Sequence, residues 1–152
     1  MATTYVPYRT GLVENHNTEM MADRETWGKA KQITRHILWD MAEGVRFITY
    51  GEYCAIMHEN IPEFSAKPWH NQNMSRLLSE QAVDGRLDLG LFLDSLVVEK
   101  LSGFPSAGFD AMHRTNGWYD GKDIVKYTQG AQLKCFMRVR ELNTSIALKQ
   151  VA

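Results

Sequence analysis

The sequence predicts a mostly helical α+β domain: a winged helix-turn-helix core, a short β-hairpin wing and a C-terminal helix. Three observations predict it. Apolar residues recur three or four apart over residues 25–43, one face of an amphipathic helix. Thr49-Tyr50-Gly51-Glu52 then has capping-box spacing and opens a short helix, followed by a polar connection and a second helix. Last, the apolar run Leu91–Leu101 reads as a strand that Ser102-Gly103 turns back through Phe104–Phe109 as a wing.

The chain has 152 residues, enough for one domain with its own core. Hydrophobic residues make up 44% and charged residues 23%, ordinary values for a globular protein. A formal net charge of -1 supplies no global field for nucleic acid, so any such contact has to come from a local patch. The two cysteines, Cys54 and Cys135, sit among apolar neighbours in helical segments, as buried thiols do in a reducing compartment. No apolar run reaches 18 residues and no signal pattern opens the chain, so a cytoplasmic protein without membrane contact is expected.

Residues 1–24 form a polar arm broken by Pro7 and Gly11, and residues 25–152 form the domain. Trp27, Ala30, Ile33, Ile37 and Met41 line the inner face of the first helix, with Gly44 as its stop. The helix opened by Thr49 carries Tyr53, Cys54, Ile56 and Met57 and ends near Asn60, because Pro62 disfavours helix at Ile61. A second helix starts near Asn71 or Asn73, with Met74, Leu77, Leu78 and Ala82 inward, and runs to Gly85. Residues 112–121 read as a loop. Asp123 caps a final helix with Ile124, Tyr127, Ala131, Cys135, Val139 and Leu142 inward, weakened at Gly130.

In a helix-turn-helix the start of the second helix meets base edges while phosphate contacts set the register. Here that start offers Lys67, Asn71, Gln72, Asn73, Ser75 and Arg76, with Lys100 on the wing. Asn and Gln bond adenine bidentately and Arg bonds guanine or phosphate. Only two cations stand at this start, and Glu52, Glu59, Glu63 and Glu80 are near in sequence. Trp69, Trp118 and Tyr119 either cap the core or form a surface for a protein partner. The five histidines fit no zinc spacing and neither cysteine has a C-x-x-C partner, so neither metal nor cofactor is expected. Asp110, His113 and Asp120 read as solvated turn residues rather than an acid–base set, and no catalytic residue is assigned.

The order T-Y-G-E, N-x-N-M-S-R-L-L and S-L-V-V-E-K-L-S-G-F-P-S-A-G-F resembles a small domain of bacteria and phages that lacks an assigned function. The layout over residues 47–110 is also similar to the winged-helix DNA-binding half of alkylguanine alkyltransferases and alkyltransferase-like proteins. Set against their V-V segment, Val97-Val98 places Asp94 where those enzymes carry the nucleophilic cysteine and Ser95 where they carry histidine. Alkyl transfer is therefore excluded. The resemblance implies a non-enzymatic DNA-binding module. The other expectation is a small phage-type protein that binds and inhibits a host or defence protein. The oligomeric state stays open.

Overall fold

A computed structural model describes residues 24–62 and 70–151. The predicted arm, residues 1–24, thus lies outside the described residues except for Arg24, as do Lys67 and Trp69. The chain runs α1 (Arg24–Glu43), β1 (Ile48–Thr49), α2 (Tyr50–Asn60) and α3 (His70–Leu89). A 3-10 turn (Leu93–Leu96) leads into β2 (Val97–Val98), and α4 (Ala107–Thr115) and α5 (Ile124–Val151) complete it. The fold is mostly helical, with one two-strand parallel pair in the register Ile48 to Val97 and Thr49 to Val98.

The 3-10 turn occupies the middle, packed against α1, α3 and α5. Leu91, Leu93, Leu96 and Val97 meet Trp27, Leu38 and Trp39 of α1, Leu77 of α3, and Cys135 and Val139 of α5 in one core. The expected hairpin wing is therefore corrected. Every residue from Leu93 to Val98 is buried, so this run threads the interior and has no solvent face to alternate with. Its partner is β1, parallel to it and separated from it by α2 and α3. After β2, Gly103 (φ 72°) makes a tight loop in which Glu99 N–H donates to the Phe104 carbonyl at 2.8 Å. Pro105 removes a backbone donor and Ser106 opens α4 where the return strand was expected.

α2 starts as its capping box demands. Thr49 Oγ1 accepts from Glu52 N–H at 3.1 Å, and Glu52 Oε1 accepts from Thr49 N–H at 3.1 Å. Those bonds from Thr49 hold the Glu52 carboxyl below its ordinary pKa. Among the described residues α2 ends at Asn60 and α3 begins at His70. α3 continues through Gly85 because that glycine serves packing: a Cβ there would stand 2.9 Å from the Leu91 carbonyl oxygen. Gly90 (φ 68°) ends the helix instead. At the end of α1 the left-handed residue is Val45 (φ 53°), one beyond Gly44, and Arg46 N–H closes the turn on the Met41 carbonyl at 2.8 Å. α5 passes Gly130 without a break.

Between α1 and α3 lies a buried ionic layer. Lys31 Nζ, 1% exposed, is 2.8 Å from Asp84 Oδ2 and 3.4 Å from Glu80 Oε1. Arg35, fully buried, reaches Asp88 at 3.3 Å, and with the Gln81 amide turned toward it Nε donates to that oxygen at 2.8 Å. Trp27 Nε1 donates to Glu80 at 3.2 Å. Burying charge is costly unless it is paired. This layer fixes the register of α1 on α3. Among the described residues no helix is long and apolar enough to cross a membrane.

Candidate functional site

The first turn of α3 contains Asn71 and Gln72, whose side chains lie outside the described residues. Asn73 is fully buried, so it faces the protein interior rather than solvent. Ser75 and Arg76 are exposed, and Arg76 Nε donates to Glu80 Oε2 at 3.2 Å, which turns this cation back onto the ionic layer. Lys100 is exposed in the loop after β2. Of the described side chains of the predicted cluster, Asn73 is buried, while Ser75, Arg76 and Lys100 are exposed.

Trp118 and Tyr119 belong to a different constellation. With Phe92 and Tyr127 they form the floor of an open groove of about 1040 Å³, walled by Lys122, Lys126, Gly130 and Lys134. Trp118 is half-buried and packs against Phe92 at 4.9 Å between ring centroids, and Tyr119 is buried against Tyr127 at 4.9 Å. Arg86 extends over the Trp118 ring at 5.8 Å, within cation–π range. Lys122, Lys126 and Lys134 are exposed. The acidic side chains here are turned onto the backbone: Asp123 Oδ1 accepts from Lys126 N–H at 3.0 Å, capping α5 as predicted, and Asp120 Oδ1 accepts from Lys122 N–H at 2.9 Å.

Behind this floor the sequence-based trio does not assemble. Asp110 pairs with Arg114 at 2.9 Å, and Asp120 is spent as above. His113 is instead fully buried between Asp94 Oδ2, 2.8 Å from Nε2, and Tyr127 Oη, 2.7 Å from Nδ1. Phe109 stacks near its ring at 3.9 Å, and Phe92 and Trp118 meet it edge-on. Burial, reinforced by the Asp94 charge, pushes the Tyr127 hydroxyl well above the ordinary phenol range. The His113 ring thus bridges the Tyr127 hydroxyl and the Asp94 carboxyl, one on each nitrogen. Burial raises the Asp94 pKa while the bond from His113 opposes it.

Asp94 also reaches a second cavity, about 300 Å³, enclosed by α2, α3, the 3-10 turn and α4. Its apolar wall is Met74, Leu78, Phe109 and Met112. Asp94 Oδ1 is buried and accepts no hydrogen bond among the described residues. Sequence reasoning assigned this residue only a vacant nucleophile position. The available signal was a polar Asp-Ser pair inside the apolar run L-F-L-D-S-L-V-V, since an aspartate is almost never fully buried without a partner. Among the described residues no cluster of three or more His, Cys, Asp or Glu side chains is arranged to hold a metal. No family model matches the chain, and no curated protein or solved structure matches it either.

Proposed function

We propose that the protein is a non-enzymatic nucleic-acid-binding module that receives a single strand in the groove between the Trp118 loop and α5. The observation that carries this reading is the pairing of an aromatic floor with Lys122, Lys126 and Lys134 along one wall. Single-strand binders combine a cationic track for the backbone with rings on which bases stack, each stacked base being worth about 1–3 kcal/mol. None of the three lysines makes an ion pair among the described residues; Asp120 and Asp123, which also line the groove, each accept one backbone N–H. A local patch of this kind is what a chain of net charge -1 needs. The winged helix-turn-helix reading, with duplex DNA at the start of α3, is the competing geometry for the same function, and Arg76 distinguishes the two.

The test is a fluorescence titration of labelled single-stranded and duplex oligonucleotides at two salt concentrations. Groove binding gives single-strand preference and a salt slope that falls by about 0.7 for each lysine removed in Lys126→Ala and Lys134→Ala, with Arg76→Ala unchanged. Duplex preference with loss on Arg76→Ala moves the interface to α3. No salt-sensitive binding of either form refutes the reading.

One observation favours the second reading, a protein that binds a host or defence protein. Val45, Phe47, Leu133 and Met137 are each 46–58% exposed. Val45, Leu133 and Met137 line one apolar depression together with Phe136, and Phe47 packs on Phe136 at 5.6 Å. Exposed apolar patches of this type mark protein contact surfaces.

A further inference from the structure

We infer that the groove between the Trp118 loop and α5 selects guanine: Asp120 and Asp123, at one end, take the Watson–Crick edge of a guanine in a single strand whose phosphates lie along Lys126 and Lys134. This rests on the single-strand reading above and adds the base to it. The groove is uneven in charge. Asp120, Lys122 and Asp123 stand where the loop enters α5, while Lys126 and Lys134 continue along the helix. Those two lysines are separated by two helical steps of four residues, about 12 Å at the rise of an α-helix. That distance is more than one phosphate group spans and suits a backbone that continues from one nucleotide to the next. Gly130 lies midway, and a Cβ built there meets nothing within 4 Å, so the strand can rest against the helix itself.

Charge sets the direction in which a nucleotide lies. Phosphate is drawn to the lysines and repelled by Asp120 and Asp123, so the carboxylate end takes a group that donates hydrogen bonds. Asp120 directly follows Tyr119, and Asp123 precedes Tyr127 by one turn, so both carboxylates border the two rings that pack at 4.9 Å. Both are exposed, and Oδ1 of each accepts one backbone N–H, at 2.9 Å in Asp120 and 3.0 Å in Asp123. A carboxylate offers about four acceptor sites, so each keeps capacity for a ligand. Guanine sets two donors side by side on one edge, N1–H and the N2 amino group, at the spacing of two carboxylate oxygens. Adenine and cytosine set an amino group beside a ring acceptor, and thymine and uracil flank N3–H with carbonyls that a carboxylate repels. The guanine pair is bidentate and charge-assisted, which strengthens it and restricts its geometry. A single strand leaves this edge free to be read.

The experiment is a fluorescence anisotropy titration of the full chain with a short labelled oligothymidylate carrying guanine, hypoxanthine or thymine at one central position. The guanine strand is expected to bind at least about tenfold tighter than the thymine strand, the size of a hydrogen bond to a charged group. Hypoxanthine, which lacks only the N2 amino group, is expected to lose most of that gain. The double variant Asp120→Asn with Asp123→Asn keeps an oxygen for each backbone N–H, and Asn caps a helix as well as Asp. It is expected to bind the guanine and thymine strands alike, and the two single variants serve if it does not fold. Equal binding of all strands by the unaltered chain overturns the guanine assignment and leaves the single-strand reading standing. A guanine preference that survives in every folded variant overturns the role of the carboxylates. GTP bound as tightly as the guanine strand makes the ligand a free nucleotide and overturns the strand. Absence of binding by any strand overturns this inference and the reading beneath it together.

Discussion

Replacing Lys31 by methionine tests the ionic layer between α1 and α3 most directly. Lys31 is 1% exposed, and Asp84, fully buried, lies 2.8 Å from its ammonium. The change keeps the length and apolar stem of the side chain and deletes the charge. Glu80 retains Trp27 and Arg76, both at 3.2 Å, but Asp84 loses the nearest cation. Removing one member of a buried pair costs about 3–5 kcal/mol, because the remaining charge stays buried and uncompensated. Against a total stability of about 5–15 kcal/mol that is a large loss. The double variant Lys31→Met with Asp84→Leu removes both charges, and such replacements are often neutral or stabilising. The double variant should therefore recover most of the loss, with a coupling of about 3 kcal/mol or more. Urea unfolding followed by far-UV circular dichroism measures each value from the midpoint and slope. A cost below about 1 kcal/mol for Lys31→Met, the range of exposed pairs, would refute the reasoning. A double variant no better than the sum of its parts would do the same.

Three further outcomes are expected. A Cβ on Gly130 meets nothing within 4 Å, so Gly130→Ala should stabilise α5 by about 1 kcal/mol, raising Tm by about 2–4 °C, and should weaken oligonucleotide binding if the groove is used; destabilisation would contradict this. Val45→Gly should raise stability by about 0.5–1 kcal/mol in the same unfolding assay, since left-handed strain of about 1–2 kcal/mol exceeds the extra freedom glycine loses. Burial pushes the Cys135 thiol up from 9.0 to about 12. Its folded pKa lies above its unfolded value, so its contribution is complete below about pH 9 and lost as pH rises toward 12. Between pH 8 and pH 10 the native protein should lose about 1.4 kcal/mol more than Cys135→Ala, and parallel pH profiles would refute this.

Local signals carried much of the fold. The spacing of Trp27, Ala30 and Ile37 located α1, the Thr49–Glu52 box located the start of α2, and Asp123 located the cap of α5. Each of these depends on residues within a few turns of one another. What failed depends on distant partners. Gly85 looks like a helix stop unless the Leu91 carbonyl pressed against it is known. The Leu91–Leu101 run reads as a strand because apolar residues without alternation fit a buried turn equally well. Phe104–Phe109 was assigned to the wing by symmetry with that strand, although Pro105 and Ser106 are a helix start. Nothing local to Lys31 and Arg35 marks them as buried, and α3 brings carboxylates to them from 53 positions away. Asp94, His113 and Tyr127 likewise meet only after α4 and α5 have packed on the 3-10 turn.

The placement of Leu93–Leu96 has a consequence for how the chain can come apart. This segment is held on three sides by helices from both ends of the domain, and the strand that follows it is stitched to Ile48 and Thr49. Neither the part before residue 90 nor the part after it encloses a core of its own. Loss of α5 would open the same interior as loss of α1, so the described residues form one cooperative unit. Native-state hydrogen exchange should therefore be slowest at Leu96, Val97 and Val98, with protection there equal to the global unfolding free energy.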